Sequence, residues 1–252
     1  LHKVIKRIDN LKQVWRVQYY GYFHYLCACF LPTCRHNYLN MKISQAQFAG
    51  SSTSNAGKPA RRLPEFAFIG RSNVGKSSLI NMLCDNSKLA MTSSTPGKTK
   101  LINHFLVNDR WYLVDLPGYG YAKLPDKERA RLREMIREYL LNSEEMLLLF
   151  VLIDIRHDIG KIDMDFLIWL GENGIPFAII FTKGDKMGPV ARQEQAERDK
   201  AMISEYWEEL PPTFISSSTE RIGKDDILGY IGQVLADTAA LDKTKNQTKS
   251  NY

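Results

Sequence analysis

From about residue 63 the chain alternates short apolar runs with longer stretches of helical period. EFAFI (65–69), LINHFLV (101–107), WYLVD (111–115), MLLLFVLID (146–154), PFAIIFT (176–182) and TFIS (213–216) read as strands. Several are too uniformly apolar to have a wet face, which marks strands covered on both sides. Helical patterns lie between most of them: SSLINML from Ser77, DKERARLREMIREYLL from Asp126, DMDFLIWLGENG from Asp163, ARQEQAERDKAMISEYWEEL from Ala191 and DDILGYIGQVLADTA from Asp225. Strand and helix in succession demand a doubly wound α/β sandwich, with ligands at the carboxyl ends of the strands. LINHFLV and WYLVD are joined instead by a short turn at Asn108, Asp109 and Arg110, so one edge of the sheet is expected to be antiparallel.

The two ends differ from this pattern. Residues 1–40 begin basic (Lys3, Lys6, Arg7, Lys12, Arg16) and continue into the aromatic stretch VQYYGYFHYLCACFLP. The apolar part, Val17 to Leu31, is short against the ~20 residues of a membrane span. The stretch reads as an upstream extension ahead of a start at Met41, with a targeting or anchor segment as the alternative. GSSTSNAGKPARR (50–62) has no apolar period and reads as a mobile lead-in. The expected layout is therefore an extension at 1–40, a flexible lead-in at 41–62, one globular domain at 63–238 and a disordered basic tail at 239–252, which includes DKTKNQTKSNY.

Composition narrows the class only slightly. A chain of 252 residues, 44% hydrophobic, can bury one sizeable core. The net charge of +6 suits a polyanionic partner but also serves ordinary solubility. Cys27, Cys29 and Cys34 cluster near the start and only Cys84 falls in the main domain, which gives neither a disulfide framework nor a zinc site. A reduced, cytoplasmic domain without stable membrane association is expected.

The chemistry begins where the first buried strand runs into GRSNVGKSS (70–78), a match to G-x-x-x-x-G-K-[ST] between strand and helix. There the glycines let the backbone wrap a phosphate, the helix N-terminus faces the anion, Lys76 reaches the outer phosphates and Ser77 offers a hydroxyl to Mg²⁺. WYLVD carries Asp115 to the same sheet edge, where the carboxylate can hold the Mg²⁺ through water and the Gly118 amide can sense a γ-phosphate. Between these lies the polar loop SSTPGKTKLIN (93–103), in which Thr99 could complete the metal shell when a γ-phosphate is present.

The strand PFAIIFT ends in Thr182, Lys183, Gly184 and Asp185. A carboxylate at Asp185 can accept both donors of the guanine edge, whereas adenine would leave it unpaired at ~1–3 kcal/mol. Lys183 can lay its stem along the base. Ser216, Ser217 and Ser218 close the last strand and could bring backbone amides to the base carbonyl, with the register open by one residue. An ATPase is disfavoured by the TKGD segment.

With GRSNVGKS, TPGKT, DLPGYGYA, TKGD and the serine loop in that order, the chain from about Met41 to Ala236 resembles the EngB (YihA/YsxC) family of small GTPases. The resemblance implies a six-stranded G domain, mostly parallel with one antiparallel edge strand. It also implies GTP and Mg²⁺ binding, slow hydrolysis, work on large ribosomal subunit assembly (ribosomal RNA and proteins), and a requirement in cell division and septation. Carried over by position, Gly70, Arg71, Ser72, Asn73, Val74, Gly75, Lys76 and Ser77 hold phosphates, while Ser77, Thr99 and Asp115 serve the metal. Gly97, Lys98, Thr99, Lys100 and Leu101 form the first switch. Asp115, Leu116, Pro117 and Gly118 begin the second. Gly184 stands where alanine is usual, a change expected to matter little.

Ras-like GTPases orient the attacking water with a Gln after DxxG, and here that residue is Tyr119. Either a backbone group orients the water or an added charge lowers the barrier. GTPases resembling this one with Asn at the position of Asn73 can bind K⁺ beside the phosphates, and an Asn bonded within its own loop is the alternative. Catalytic contributions are thus expected from Lys76, Thr99, Gly118 and Asn73. Lys127, Arg129, Arg131, Arg133 and Arg137 follow the second switch and suit RNA phosphates, although Glu128, Glu134 and Glu138 interleave with them. A monomeric switch is expected, with a non-catalytic guanine-nucleotide sensor as the alternative.

Overall fold

The structure is a computed structural model that describes residues 41–91, 101–120 and 125–250. The expected extension at 1–40 lies outside them, as do Gly97, Lys98, Thr99 and Lys100 of the expected first switch.

In chain order the elements are β1 (Ala46–Ser52), β2 (Glu65–Gly70), α1 (Lys76–Leu83), β3 (Ile102–Val107), β4 (Trp111–Asp115), α2 (Asp126–Asn142), β5 (Met146–Asp154), α3 (Lys161–Glu172), β6 (Phe177–Thr182), α4 (Pro189–Ser204), β7 (Thr213–Ile215) and α5 (Lys224–Ser250). The strands form one sheet in the order β1-β3-β4-β2-β5-β6-β7. β4, β2, β5, β6 and β7 are mutually parallel, and β3 is antiparallel to both of its neighbours.

Period-two alternation divides the core between the two faces. In β2, Phe66 and Phe68 join α1 and α5, packing with Leu79, Ile80, Ile227 and Ile231. Ala67 and Ile69 face the other way, into the cluster that holds Leu132 and Tyr139 of α2, Leu167 of α3 and Ala196 of α4. The result is the three-layer α/β sandwich that the alternation predicts.

The expectation of six strands is corrected to seven. β1 lies inside the presumed flexible lead-in and pairs with β3, with a bulge between Phe48 and Gly50. Its sequence, AQFAGSS, carries almost no apolar signal, and it forms because β3 offers an open row of backbone donors and acceptors. The antiparallel strand is therefore the second of the sheet, and β1 forms the edge.

The rest of the lead-in is pinned by Lys58. Its side chain is only 3% exposed. The ammonium donates to Glu65 Oε2 (2.9 Å), Ser143 Oγ (2.6 Å) and Glu145 Oε2 (3.1 Å), and lies over the Tyr139 ring. Burial alone would raise the Glu65 carboxyl. The His104 imidazole, Lys58 and the Tyr139 hydroxyl outweigh it and hold the group at about 2. His104 Nε2 stands 3.6 Å from Glu65 Oε1, too far for a formed hydrogen bond, so Lys58 and Tyr139 carry most of this effect.

Two helix ends also depart from expectation. α4 stops at Ser204, short of Leu210, because Trp207 turns inward to pack edge-on against Phe177. α5 continues to Ser250 through the segment expected as a disordered tail, since no glycine or proline follows Gly232 to interrupt it.

Candidate functional site

β2 ends at Gly70, where a Cβ would sit 2.8 Å from Val74 Cγ1 and 2.9 Å from the Leu152 carbonyl oxygen, so the turn admits only glycine. Asn73 (φ 62°) and Gly75 (φ 104°) both lie in the left-handed region, and Gly75 caps α1. The first amides of α1, including those of Lys76 and Ser77, have no acceptor within the helix and are available to an anion. Ser72 Oγ is buried without a hydrogen-bond partner among the described residues.

Phe68 and Asp115 are register partners across β2 and β4, which sets Asp115 beside the start of this loop. The Lys76 ammonium forms an ion pair with Asp115 Oδ1, and the two side chains are 10% and 4% exposed. Burial pulls the Lys76 amine down to about 7. An ammonium held this way gains from a further anion beside it, and a phosphate is such an anion.

Beyond Asp115 the chain keeps close to the end of β2. Leu116 donates its amide to Phe68 O at 3.0 Å and Tyr119 to Gly70 O at 3.3 Å. Leu116, Pro117 and Gly118 are buried. Tyr119 then leaves toward α3: its hydroxyl donates to Asp163 Oδ1 at 3.0 Å and its ring stacks on Phe166 with centroids 4.4 Å apart. Burial and the neighbouring Asp163 push the phenol well above its usual range, so it remains a donor. Arg71 Nη1 approaches the other oxygen of Asp163 at 3.6 Å.

Thr182 and Lys183, at the end of β6, interlock with the loop that follows β2. Thr182 Oγ1 donates to Val74 O at 2.7 Å. Lys183, itself left-handed (φ 62°), donates from Nζ to Asn73 O at 2.7 Å and to Asp154 Oδ2 at 2.8 Å. Burial would raise the Asp154 carboxyl, but Arg156 and Lys183 together hold it well below the usual carboxylate range. Asp185 accepts from Ser217 Oγ at 2.8 Å and pairs with Lys186 at 2.9 Å, and Lys186 and Ser217 keep its carboxyl below the usual range.

The serine loop is tied to the same edge. Ser216 N–H donates to Phe181 O (2.7 Å) and Ser217 N–H to Ile222 O (3.2 Å). Gly184 N–H donates to Ser216 O at 2.9 Å. A Cβ on Gly184 would meet Ile215 Cγ2 at 3.2 Å and Ser216 O at 3.3 Å, so an alanine here would require the loop to give slightly. Ser216 Oγ is buried and unpartnered among the described residues.

Residues from β2, α1, β4, β6 and β7 thus meet at one carboxyl edge. The family model described as a 50S ribosome-binding GTPase matches residues 65–183. The probable GTP-binding protein EngB of Porphyromonas gingivalis is 57% identical over 194 residues, covering 77% of this chain and 96% of that protein. The chain belongs to the EngB family of GTP-binding proteins. An EngB protein of Bacteroides fragilis is 56% identical over 201 residues, covering 77% of this chain and 96% of its own length. A crystal structure of a probable EngB protein shares the fold at TM-score 0.55 and 24% identity, covering 69% of this chain and 99% of that one. EngB membership makes the chain a P-loop GTPase, with GTP as the nucleotide substrate.

Among the described residues no group of three or more His, Cys, Asp or Glu could hold a metal. Ser77 and Asp115 are hard oxygen donors, and such a pair fits Mg²⁺, which takes few protein ligands and completes its shell from phosphate and water. Thr99, the other expected ligand, lies outside the described residues. No described helix is long and apolar enough to cross a membrane.

Two anchors escaped the sequence reading. Asp154 ends a long apolar strand, a signal that could have marked it as a carboxyl-edge residue. Asp163 sits in the first turn of α3 and gives no sign of its partner 44 residues away.

Proposed function

We propose that this EngB-family protein binds GTP and GDP with Mg²⁺, hydrolyses GTP slowly, and acts as a cytoplasmic, monomeric switch in assembly of the large ribosomal subunit. The same reading includes a requirement in cell division and septation, which rests on family membership. The observation that carries the nucleotide reading is the convergence of Lys76, Asp115 and Asp185 on one edge of the sheet. Gly70 to Ser77 wrap the phosphates, with Lys76 on the outer ones. Ser77, Thr99 and Asp115 hold the metal, which supplies charge neutralisation across the phosphates. The Gly118 amide and the segment Gly97 to Leu101 respond to the γ-phosphate. Asp185 reads the guanine edge, Lys183 covers the base, and Thr182 and Ser217 hold these groups in place.

Because the Ser216 and Ser217 amides are already bonded, Ser218 supplies the amide for the base carbonyl. The engagement of Tyr119 with Asp163 leaves the water to a backbone group or to a cation, and the Asn73 side chain is the residue proposed to admit K⁺. A second reading, a sensor with negligible turnover, is kept alive by the same Tyr119–Asp163 bond. The match to a ribosome-binding GTPase model supports the large subunit as partner, with Lys127 and Arg131 of α2 available to RNA phosphates.

Single-turnover hydrolysis of radiolabelled GTP, with and without purified large subunits, tests the proposal. Acceleration by subunits, together with co-sedimentation that differs between GTP and GDP, is expected. A rate that stays negligible with the subunit bound favours the sensor, and no nucleotide-dependent co-sedimentation contradicts the ribosomal role.

A further inference from the structure

Between α2 and α3 runs a groove of about 320 Å³ whose inner end is formed by Gly118 and Tyr119. Leu132 and Ile136 of α2 form one side of its floor, and Ile162, Phe166 and Trp169 of α3 form the other. Ile162 is 49% exposed, although nothing in nucleotide binding requires an apolar side chain there. Along one face of α2, at four-residue spacing, Arg129, Arg133 and Arg137 form the rim. Arg129 pairs with Asp126. Arg137 lies over the Trp169 ring at 5.0 Å, and among the described residues neither it nor Arg133 has a carboxylate within ion-pair distance. The acid on the opposite rim, Asp165, is neutralised by Lys161.

An apolar trough under arginines that form no ion pair among the described residues asks for an occupant that is apolar below and anionic above. RNA meets only half of this. The aliphatic half of the floor offers no stacking platform, and the Trp169 ring is already stacked with Phe166 (6.0 Å, 20°) and covered by Arg137. Lys127 and Arg131, on the opposite side of α2, are separate from the groove. We propose that the groove docks a short acidic segment of a partner protein, with large apolar side chains seated between Leu132, Ile136, Ile162 and Phe166 and carboxylates meeting Arg133 and Arg137. Tyr119 couples the groove to the nucleotide site. Its ring packs on Phe166 and its amide bonds Gly70 O at the head of the phosphate loop, so what sits in the groove and what sits on the loop act on the same residue. This inference does not depend on the ribosomal reading.

Phage-displayed random peptides selected on the full-length protein, loaded with a non-hydrolysable GTP analogue, test it. The recovered peptides are then titrated by fluorescence anisotropy. Enrichment of sequences combining Asp or Glu with Leu, Phe or Trp is expected. Their binding should weaken by roughly ten-fold or more in Arg133→Glu/Arg137→Glu and in Ile162→Glu. All three positions are exposed, and unchanged binding of a fluorescent GDP shows that the variants fold. The proposal is overturned by no enrichment, by enrichment without acidic residues, by affinities indifferent to these substitutions, or by an oligouridylate that binds through Arg133 and Arg137 where the peptides do not.

Discussion

The hydroxyl of Tyr119 donates a 3.0 Å hydrogen bond to Asp163, which fastens the residue after Gly118 to helix α3. The phenol therefore acts as a strut between the segment after β4 and α3. Tyr119→Phe should leave single-turnover GTP hydrolysis within about two-fold while lowering stability by about 1.5–3 kcal/mol, the worth of a hydrogen bond to a buried carboxylate. Denaturant unfolding and quenched-flow hydrolysis measure the two effects. A hundred-fold loss of rate with stability intact would put the phenol in the chemistry.

If Tyr119 is committed elsewhere, an added charge becomes the leading means of lowering the barrier. Hydrolysis should run faster in KCl than in NaCl of equal ionic strength, and Asn73→Ala should abolish the difference. Equal rates in the two salts remove Asn73 and K⁺ from the mechanism.

Glu65 makes a separate, pH-dependent claim. Its carboxyl is lowered from 4.5 to about 2 in the folded chain, so its contribution is complete above pH 4.5 and is lost as pH falls through about 2. The sign follows from the unfolded chain binding the proton first. Between those limits the wild type should lose roughly 2–3 kcal/mol more than Glu65→Gln. Parallel acid-denaturation curves for the two proteins would show that the buried Lys58 and Tyr139 contacts do not hold the charge.

The serine loop gives a side-chain test of register. Ser217→Ala removes the hydrogen bond that Asp185 accepts and should weaken GDP binding several-fold, on the order of 1 kcal/mol. Ser218→Ala should be neutral, because only its backbone amide is proposed to meet the base. The reverse pattern in fluorescent-GDP titrations would shift the register by one residue.

Much of this was legible in the sequence because burial on both faces writes itself as uninterrupted apolar strands. EFAFI, MLLLFVLID and PFAIIFT stand out for that reason, and each ends at the residue or loop that bears on the site. β1 was not legible, since an edge strand held by backbone pairing needs no apolar alternation, and AQFAGSS has little. Lys58 looked like one more solvated lysine in a polar loop, and only the fold brings it to Glu65, Ser143 and Glu145. Motif residues could be placed because the chemistry proposed for the loop after β2 and for Asp185 demands particular residue types at fixed spacing. Of their supports, Asp154 beneath Lys183 was marked only by its place at the end of an apolar strand, and Asp163 beneath Tyr119, whose partner lies 44 residues away, carries no local pattern.

The claim on which the account rests is that Asp185, on the sheet edge shared with Lys76 and Asp115, selects guanine. Displacement of fluorescent GDP by GTP and by ATP measures it directly, in wild type and in Asp185→Ala. GTP should compete about a hundred-fold better than ATP, and the variant should lose most of that margin. Equal competition by the two purines, or a preference untouched by the substitution, would contradict it.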